Sequence, residues 1–479
     1  MMDESRGLER VHLMGIGGSG MSALALLLQG LDCEVSGCDI DDSHYMSQLR
    51  MQGIECVQGH SPSHLDRFFP QTLIYSSAVP HDHAELTAAR ERGIETVGRG
   101  EALSRVFNRR RGIGVAGTHG KTTTSSMIAF ILERSGLTPS WAIGAEVRDL
   151  GKSAHAGGGD LLVAEIDESD GSFEFFSPAI TVITNIDWDH VNHFPTRQDV
   201  MDAFFRFASG RKPDTPLIVC AEDEGTQLLV ERLGTEDRHV VTCGWGKAWE
   251  WGAYEVERHP GGGIAFSLAR KGVHAGRVNL TVSGEHNVLN ALLAIAASVS
   301  SGASIDSCAS ALSSFRGARR RLEKVGNDGI VDVIDDYAHH PAEIEATLHA
   351  LRGMYPDKRL VVVFQPHRYT RTGVFYRQLA SALGMADKVL LLPVYPAGET
   401  PEEGKTSEAV FDAMKGKEGR CILLGDIDGA LAELEKTLRP GDVLATLGAG
   451  NVSAVGPAYL RARRRSDAEE KETSPGKLG

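Results

Sequence analysis

Short apolar runs alternate along this chain with longer segments in which apolar residues recur at helical spacing. The first pair is a run at 10–14 and, beyond a glycine loop, an apolar helix expected over 19–31. A second run at 34–38 stops at Asp39, and further strand-like runs lie at 72–76 and 95–97. Parallel strands need a crossover connection, so strands separated by helices predict a parallel sheet. The pattern restarts at 112–116, with a helix at 123–135 and buried-strand runs at 161–166, 180–185 and 217–220. Residues 240–283 differ: two-residue alternation around the turn-forming Pro260-Gly261-Gly262-Gly263 predicts antiparallel hairpins, and a helix over 285–300 closes the unit. Runs at 330–335, 359–364, 388–392, 421–424 and 442–447, spaced by helical segments, make a third unit.

Two basic stretches, 105–111 and 316–321, read as linkers. The fold class is therefore α/β with three domains. These are a Rossmann-like unit over 1–108, a central parallel sheet with a small β element over 109–316, and a C-terminal Rossmann-like unit over 317–460. The charged, Pro/Gly-ended segment 461–479 is expected to be disordered.

With 42% apolar and 24% charged residues, the composition is that of a globular protein rather than a disordered one. A net charge of −14 argues against non-specific nucleic-acid binding, which needs a basic face. It leaves phosphorylated small molecules open, because a local loop binds those through backbone N–H groups. No stretch approaches the ~20 apolar residues of a spanning helix, so no membrane insertion is expected. The start of the chain lacks a basic-then-apolar leader, and the seven cysteines form no C-x-x-C pair. Together these predict a cytoplasmic protein with reduced thiols and no zinc site.

The candidate motifs fall at the carboxyl ends of expected strands, where open α/β sheets bind ligands. Gly15-Ile16-Gly17-Gly18-Ser19-Gly20 fits G-x-G-x-x-G, and Asp39 ends the next strand. Such glycines let the backbone approach a diphosphate at a helix start, in NAD or another nucleotide; a plain tight turn is the alternative. Gly117-Thr118-His119-Gly120-Lys121-Thr122-Thr123 misses the strict P-loop pattern only at Val115. Lys121 can reach the β- and γ-phosphates of ATP, and the Thr122 hydroxyl can ligate Mg²⁺, so the central unit is of P-loop type. Within Glu165-Ile166-Asp167-Glu168-Ser169-Asp170, Glu165 is the last acid inside the apolar run and the candidate Mg²⁺ partner; a solvated acidic loop is the alternative. His190 ends Asn185-Ile186-Asp187-Trp188-Asp189-His190 and could bind a second divalent ion or the substrate. In the third unit, Asp335-Asp336-Tyr337-Ala338-His339-His340-Pro341 and Gln365-Pro366-His367-Arg368-Tyr369-Thr370-Arg371 end successive strands. Arg368 and Arg371, three apart, can face one anion.

In this order, and together with Gly284-Glu285-His286-Asn287-Val288-Leu289-Asn290, these motifs resemble the Mur ligases of peptidoglycan synthesis across about residues 10–455. The resemblance implies an ATP- and Mg²⁺-dependent ligase that activates the carboxylate of UDP-N-acetylmuramate as an acyl-phosphate and joins it to L-alanine. It implies a UDP-sugar near Gly15, Gly17, Gly18, Gly20 and Asp39, with His60, Ser76 and Ser77 also near it. ATP would lie on Gly117, Thr118, His119, Gly120, Lys121, Thr122 and Thr123, with His286, Asn287 and Asn290 at its adenine or ribose. Thr122 and Glu165 would hold one Mg²⁺ and His190 a second. Asp336, Tyr337, His339, Arg368 and Arg371 would position L-alanine and the acyl-phosphate, with Tyr337 and the arginines on the amino acid. Lys121, His190, Asp336, His339, Arg368 and Arg371 would carry catalysis, His339 or Asp336 taking the amine proton. A site shared by two domains implies closure on substrate, in a monomer or weak dimer.

Three departures qualify the resemblance. No lysine lies between His190 and Lys212, where ligases adding later amino acids carry a carbamylated lysine. That favours alanine as the amine. Leu322 follows Arg320-Arg321 where an aromatic is expected, which questions a ribose contact from either arginine, and Asn451 replaces an expected aspartate. Three other readings stay open: a ligase that recycles intact tripeptide onto the same sugar, an NAD-dependent dehydrogenase, and a non-catalytic nucleotide-binding regulator. The dehydrogenase leaves Lys121, Glu165 and the arginine pair unexplained.

Overall fold

The strand Arg10–Met14 is buried along four of its five residues, as an apolar run covered on both faces by helices must be. It is the middle strand of the first of three sheets. The computed structural model describes residues 7–169, 171–212, 214–234, 239–259, 261–414 and 420–473, the last eight by backbone alone. Asp170, Pro260 and residues 474–479 of the segments read above lie outside the described residues.

The first sheet is wholly parallel, in the order Glu55–Gln58, Glu34–Asp39, Arg10–Met14, Thr72–Tyr75, Glu95–Gly98. Its direction of winding switches between Arg10–Met14 and Thr72–Tyr75, which opens a crevice at their carboxyl ends. The second sheet has ten strands. At its centre, Arg111–Ala116 lies between Ile180–Ile183 and Leu161–Glu165, all parallel. Helices Lys121–Arg134 and Glu285–Ser300 are buried along most of their lengths and share one apolar core with this sheet. The third sheet centres on Val443–Leu447, between Asp332–Asp336 and Leu360–Phe364, again all parallel.

The antiparallel hairpins expected within 240–283 are present as Trp251–Arg258, Ile264–Arg270 and Val273–Leu280, and Trp251–Arg258 pairs in parallel with Val240–Trp245, so they extend the central sheet. Three details differ from the sequence reading. The helix after the phosphate loop starts at Lys121, because Gly120 at φ 81° makes the turn. Helix Arg99–Phe107 and strand Arg111–Ala116 shorten the first linker to 108–110. Helix Val455–Thr473 runs through the first part of the segment expected to be disordered. Its start is anchored where Tyr459 donates to Asp328 at 2.7 Å and Arg463 pairs with the same carboxylate at 3.4 Å. No helix among the described residues is long and apolar enough to cross a membrane.

Candidate active site

Two glycines shape the central loop. A Cβ at Gly117 (φ 133°) would lie 2.0 Å from Thr184 Oγ1, and one at Gly120 would lie 2.8 Å from Asn290 Oδ1. The Asn185–His190 run then pins the loop from the neighbouring strand end. Asn185 Oδ1 accepts from the His119 amide at 2.8 Å, Asn185 O accepts from the Thr118 amide, and Thr184 Oγ1 donates to His119 O. Asn290 donates to Asn287 Oδ1, and Asn287 donates to Ser283 O, so this pair braces the loop from the far side. The first turn of the Lys121 helix keeps its N–H groups for an anion.

Lys121 curls back over the loop, donating to Gly117 O, to Thr118 O at 3.2 Å and to Glu168 Oε2 at 2.8 Å. Burial pushes the Glu168 carboxyl up to about 7, against the pull of the Lys121 charge. Thr122 Oγ1 donates to both Glu165 oxygens, at 3.1 and 3.0 Å, and Gly144 N–H holds Glu165 Oε2 at 2.9 Å. Hydroxyl and carboxylate oxygens are the hard donors that Mg²⁺ selects, so this pair fits that ion. His190 belongs to a second group, with Nε2 at 3.5 Å from Glu168 Oε1 and Asp167 alongside. Burial lowers the His190 pKa to about 4, so its imidazole is neutral at pH 7 and available as a ligand. Glu168 and Asp167 were within the acidic motif, yet their link to His190 depends on a fold the spacing does not reveal.

The third domain closes over this loop. Arg321 donates to Thr122 Oγ1 at 3.3 Å, and its guanidinium and that of Arg320 lie over the Tyr337 ring. His119 reaches Glu343 at 3.3 Å and Asp187 at 3.6 Å. Burial alone would lower its pKa, but these two carboxylates raise it to about 9. His286 is half-buried, and burial, with Arg321 adding, lowers it to about 4.

One third-domain residue does not stand as expected. Arg371 is not open to a substrate anion: it makes a buried bidentate pair with Asp189 of the central domain, at 2.8 and 3.0 Å. Burial would raise Asp189, but the guanidinium holds it well below the usual carboxylate range. Asp336 accepts from Leu322 N–H at 2.6 Å, Ala338 N–H at 2.8 Å and Thr347 Oγ1 at 3.3 Å, which fixes the turn after Arg321, and burial raises its carboxyl to about 6. His339 Nδ1 contacts Tyr337 O at 3.0 Å, and burial lowers its pKa to about 4. Arg368, at φ 68°, starts the helix Tyr369–Leu383.

In the first domain, Gly15 (φ 82°) packs against Ser76, where a Cβ would fall 2.8 Å from Ser76 Cβ. Gly17 N–H is already taken by Asp39 Oδ2 at 2.8 Å, so these two brace the loop. Gly18 caps the helix Ser19–Gly30, and Gly20 lies beside Arg99, whose Nη2 is 3.8 Å from Asp167 Oδ2. Ser77 is exposed, and His60 Nδ1 lies 3.0 Å from Cys38 Sγ. No motif flagged Arg99, which stands between the glycine loop and Asp167.

Three segments match descriptions of one family: "Mur ligase family, catalytic domain" over 10–111, "Mur ligase middle domain" over 115–298 and "Mur ligase, glutamate ligase domain" over 320–450. The chain belongs to the Mur ligase family. This Mur ligase is 43% identical over 454 residues to UDP-N-acetylmuramate–L-alanine ligase of Kineococcus radiotolerans, covering 95% of this chain and 96% of that one. It is 39% identical over 468 residues to the enzyme of the same name from Saccharopolyspora erythraea, at 97% and 96% coverage. The crystal structure of UDP-N-acetylmuramate–alanine ligase from Thermotoga maritima matches with a TM-score of 0.80 at 29% identity, over 95% of this chain and 99% of that one. A murein peptide ligase from Psychrobacter arcticus matches with a TM-score of 0.71 at 24% identity, covering 95% and 98%, and shows the fold alone.

Proposed function

We propose that this Mur ligase joins L-alanine to the carboxylate of UDP-N-acetylmuramate in peptidoglycan synthesis, at the expense of ATP. The observation that carries the reading is Lys121 held on Glu168 at the mouth of the phosphate loop, beside the Thr122–Glu165 pair and a neutral His190. The names of the relatives support the substrates.

The muramyl carboxylate attacks the γ-phosphorus of ATP, giving an acyl-phosphate and ADP. The neutral alanine amine then attacks the acyl carbon and expels phosphate. The first step brings an anion to an anion, and Lys121 is the cation placed to offset that repulsion. To reach the phosphate it leaves Glu168. Burial then favours protonation of Glu168, which removes a negative charge from the site. Thr122 with Glu165, and His190 with Asp167, would hold Mg²⁺, which supplies charge neutralisation at the phosphates. Of the two candidate bases, His339 is favoured: Tyr337 O takes its Nδ1 proton and leaves Nε2 as an acceptor. With Arg371 tied to Asp189, Arg368 is the cation for the alanine carboxylate. The helix start at Gly18–Gly20, with Arg99, suits the UDP diphosphate, and Ser76 and His60 lie at the same crevice. The cysteines among the described residues form no disulfide, which supports a cytoplasmic setting, and we propose a monomer or weak dimer.

The test is phosphate release by the purified chain with ATP, Mg²⁺ and UDP-N-acetylmuramate. Release on adding L-alanine is expected. Turnover with the tripeptide but not with alanine would replace this reading with the recycling one.

A further inference from the structure

The first domain buries another set of ligand-type side chains, directly beneath the glycine loop. His12 comes from Arg10–Met14, Cys38 from Glu34–Asp39, His64 from Ser63–Phe68 and Glu85 from Ala84–Glu91. One ligand atom from each lies within 4.8 Å of all the others, and His12, Cys38 and Glu85 are 0% exposed. Glu85 Oε1 is 3.5 Å from His12 Nε2, 3.1 Å from His64 Nδ1 and 4.0 Å from Cys38 Sγ. Zinc bonds of ~2.0–2.3 Å to N, O and S give tetrahedral edges of about 3.3–3.6 Å, close to these separations.

A buried polar atom without a partner points the same way. Ser36 Oγ holds the His12 ring, 2.9 Å from Nδ1. His12 Nε2 faces the Glu85 carboxylate at 3.5 Å and has no hydrogen-bond partner. A buried ring nitrogen without a hydrogen bond, set against a buried carboxylate, leaves a place for a cation between them. Outer contacts already orient the set: Ser36 on His12, the Ser61 amide on Glu85 Oε2 at 2.8 Å, and His60 Nδ1 on Cys38 Sγ at 3.0 Å.

We propose that His12, Cys38, His64 and Glu85 bind one zinc ion in a closed structural site. Cys38 binds as the thiolate and its proton passes to solvent. Zn²⁺ with one thiolate, one carboxylate and two neutral imidazoles has zero net charge, as a buried site requires. Cys38 O accepts from Gly15 N at 2.8 Å and Ile16 N at 3.1 Å, so the ion fixes the backbone that shapes the glycine loop.

Zinc per chain, measured by plasma mass spectrometry on full-length protein, tests this. Wild type is expected to carry one equivalent more than Cys38→Ser or His64→Asn, counted as a difference so that metal at the phosphate loop cancels. Exchange with Co²⁺ should give a thiolate-to-cobalt charge-transfer band that Cys38→Ser lacks. Equal zinc in wild type and folded variants overturns the proposal. If the variants do not fold, a wild-type cobalt spectrum without the sulfur band overturns it alone. Neither readout depends on ligase turnover.

Discussion

Gly117 carries the tightest steric constraint in the phosphate loop. An alanine there would meet Thr184 Oγ1 at 2.0 Å and Asn185 O at 3.0 Å, and would have to keep a φ of 133°. Gly117→Ala is expected to lose about 1–3 kcal/mol of stability and to raise the KM for ATP, read by melting and by initial rates. Lys121→Ala should behave differently. It removes the cation aimed at the phosphates, so kcat should fall at least about 100-fold. Its stability cost should stay well under the ~3–5 kcal/mol typical of an orphaned buried charge. The reason is that Glu168, already raised to about 7, takes up a proton when Lys121 is gone. A large loss of melting temperature with little loss of kcat would contradict this reading of the pair.

At the scale of elements, the phosphate loop is held by strand ends and one helix of its own domain, and then by the third domain. The Arg371–Asp189 pair is the most buried tie between the two, with side chains 6% and 5% exposed. Asp189→Asn should cost about 3–5 kcal/mol by removing the counter-charge of the buried Arg371 guanidinium at the domain interface. Denaturation of the single variants and of Asp189→Asn/Arg371→Met checks it: the double variant should recover part of the loss. The His119 tie is pH-dependent. Its folded pKa, about 9, stands above the ordinary 6.5, so its stabilising contribution is complete below about 6.5 and is lost as pH rises through about 9. Wild type should therefore lose more stability than His119→Gln between pH 7 and 10. Parallel curves for the two proteins would contradict the charged contact.

Across the whole molecule, what the sequence reveals depends on how local the physics is. The strand–glycine loop–helix unit is readable because Gly117, Gly120, Lys121 and Thr122 meet their demands within a few residues. The same holds for the alternation of strand and helix that gives three α/β units. The partners of Arg371 and His119 are not readable in this way. Asp189 lies 182 positions from Arg371, and Glu343 lies 224 from His119. A spacing of three between Arg368 and Arg371 suggested one shared anion, yet the fold gives Arg371 a carboxylate from another domain. Likewise Asp336 sits in a motif that suggests a base, and only the folded chain reveals three donors upon it. The zinc-type cluster was invisible for the same reason, since its four side chains come from four separate elements. Domain ties at Arg321, His119, Arg371 and Asn192, which donates to Glu399 at 2.8 Å, bring both halves of the site together. That assembly suits a reactive intermediate that must be kept from water.

The central claim is that ATP activates a carboxylate by transfer of its γ-phosphoryl group. UDP-N-acetylmuramate labelled with ¹⁸O in its carboxylate, turned over with ATP and L-alanine, tests it most directly. An acyl-phosphate predicts one ¹⁸O in the inorganic phosphate released and one retained in the new amide. Unlabelled phosphate, or label in AMP with release of pyrophosphate, would contradict the account.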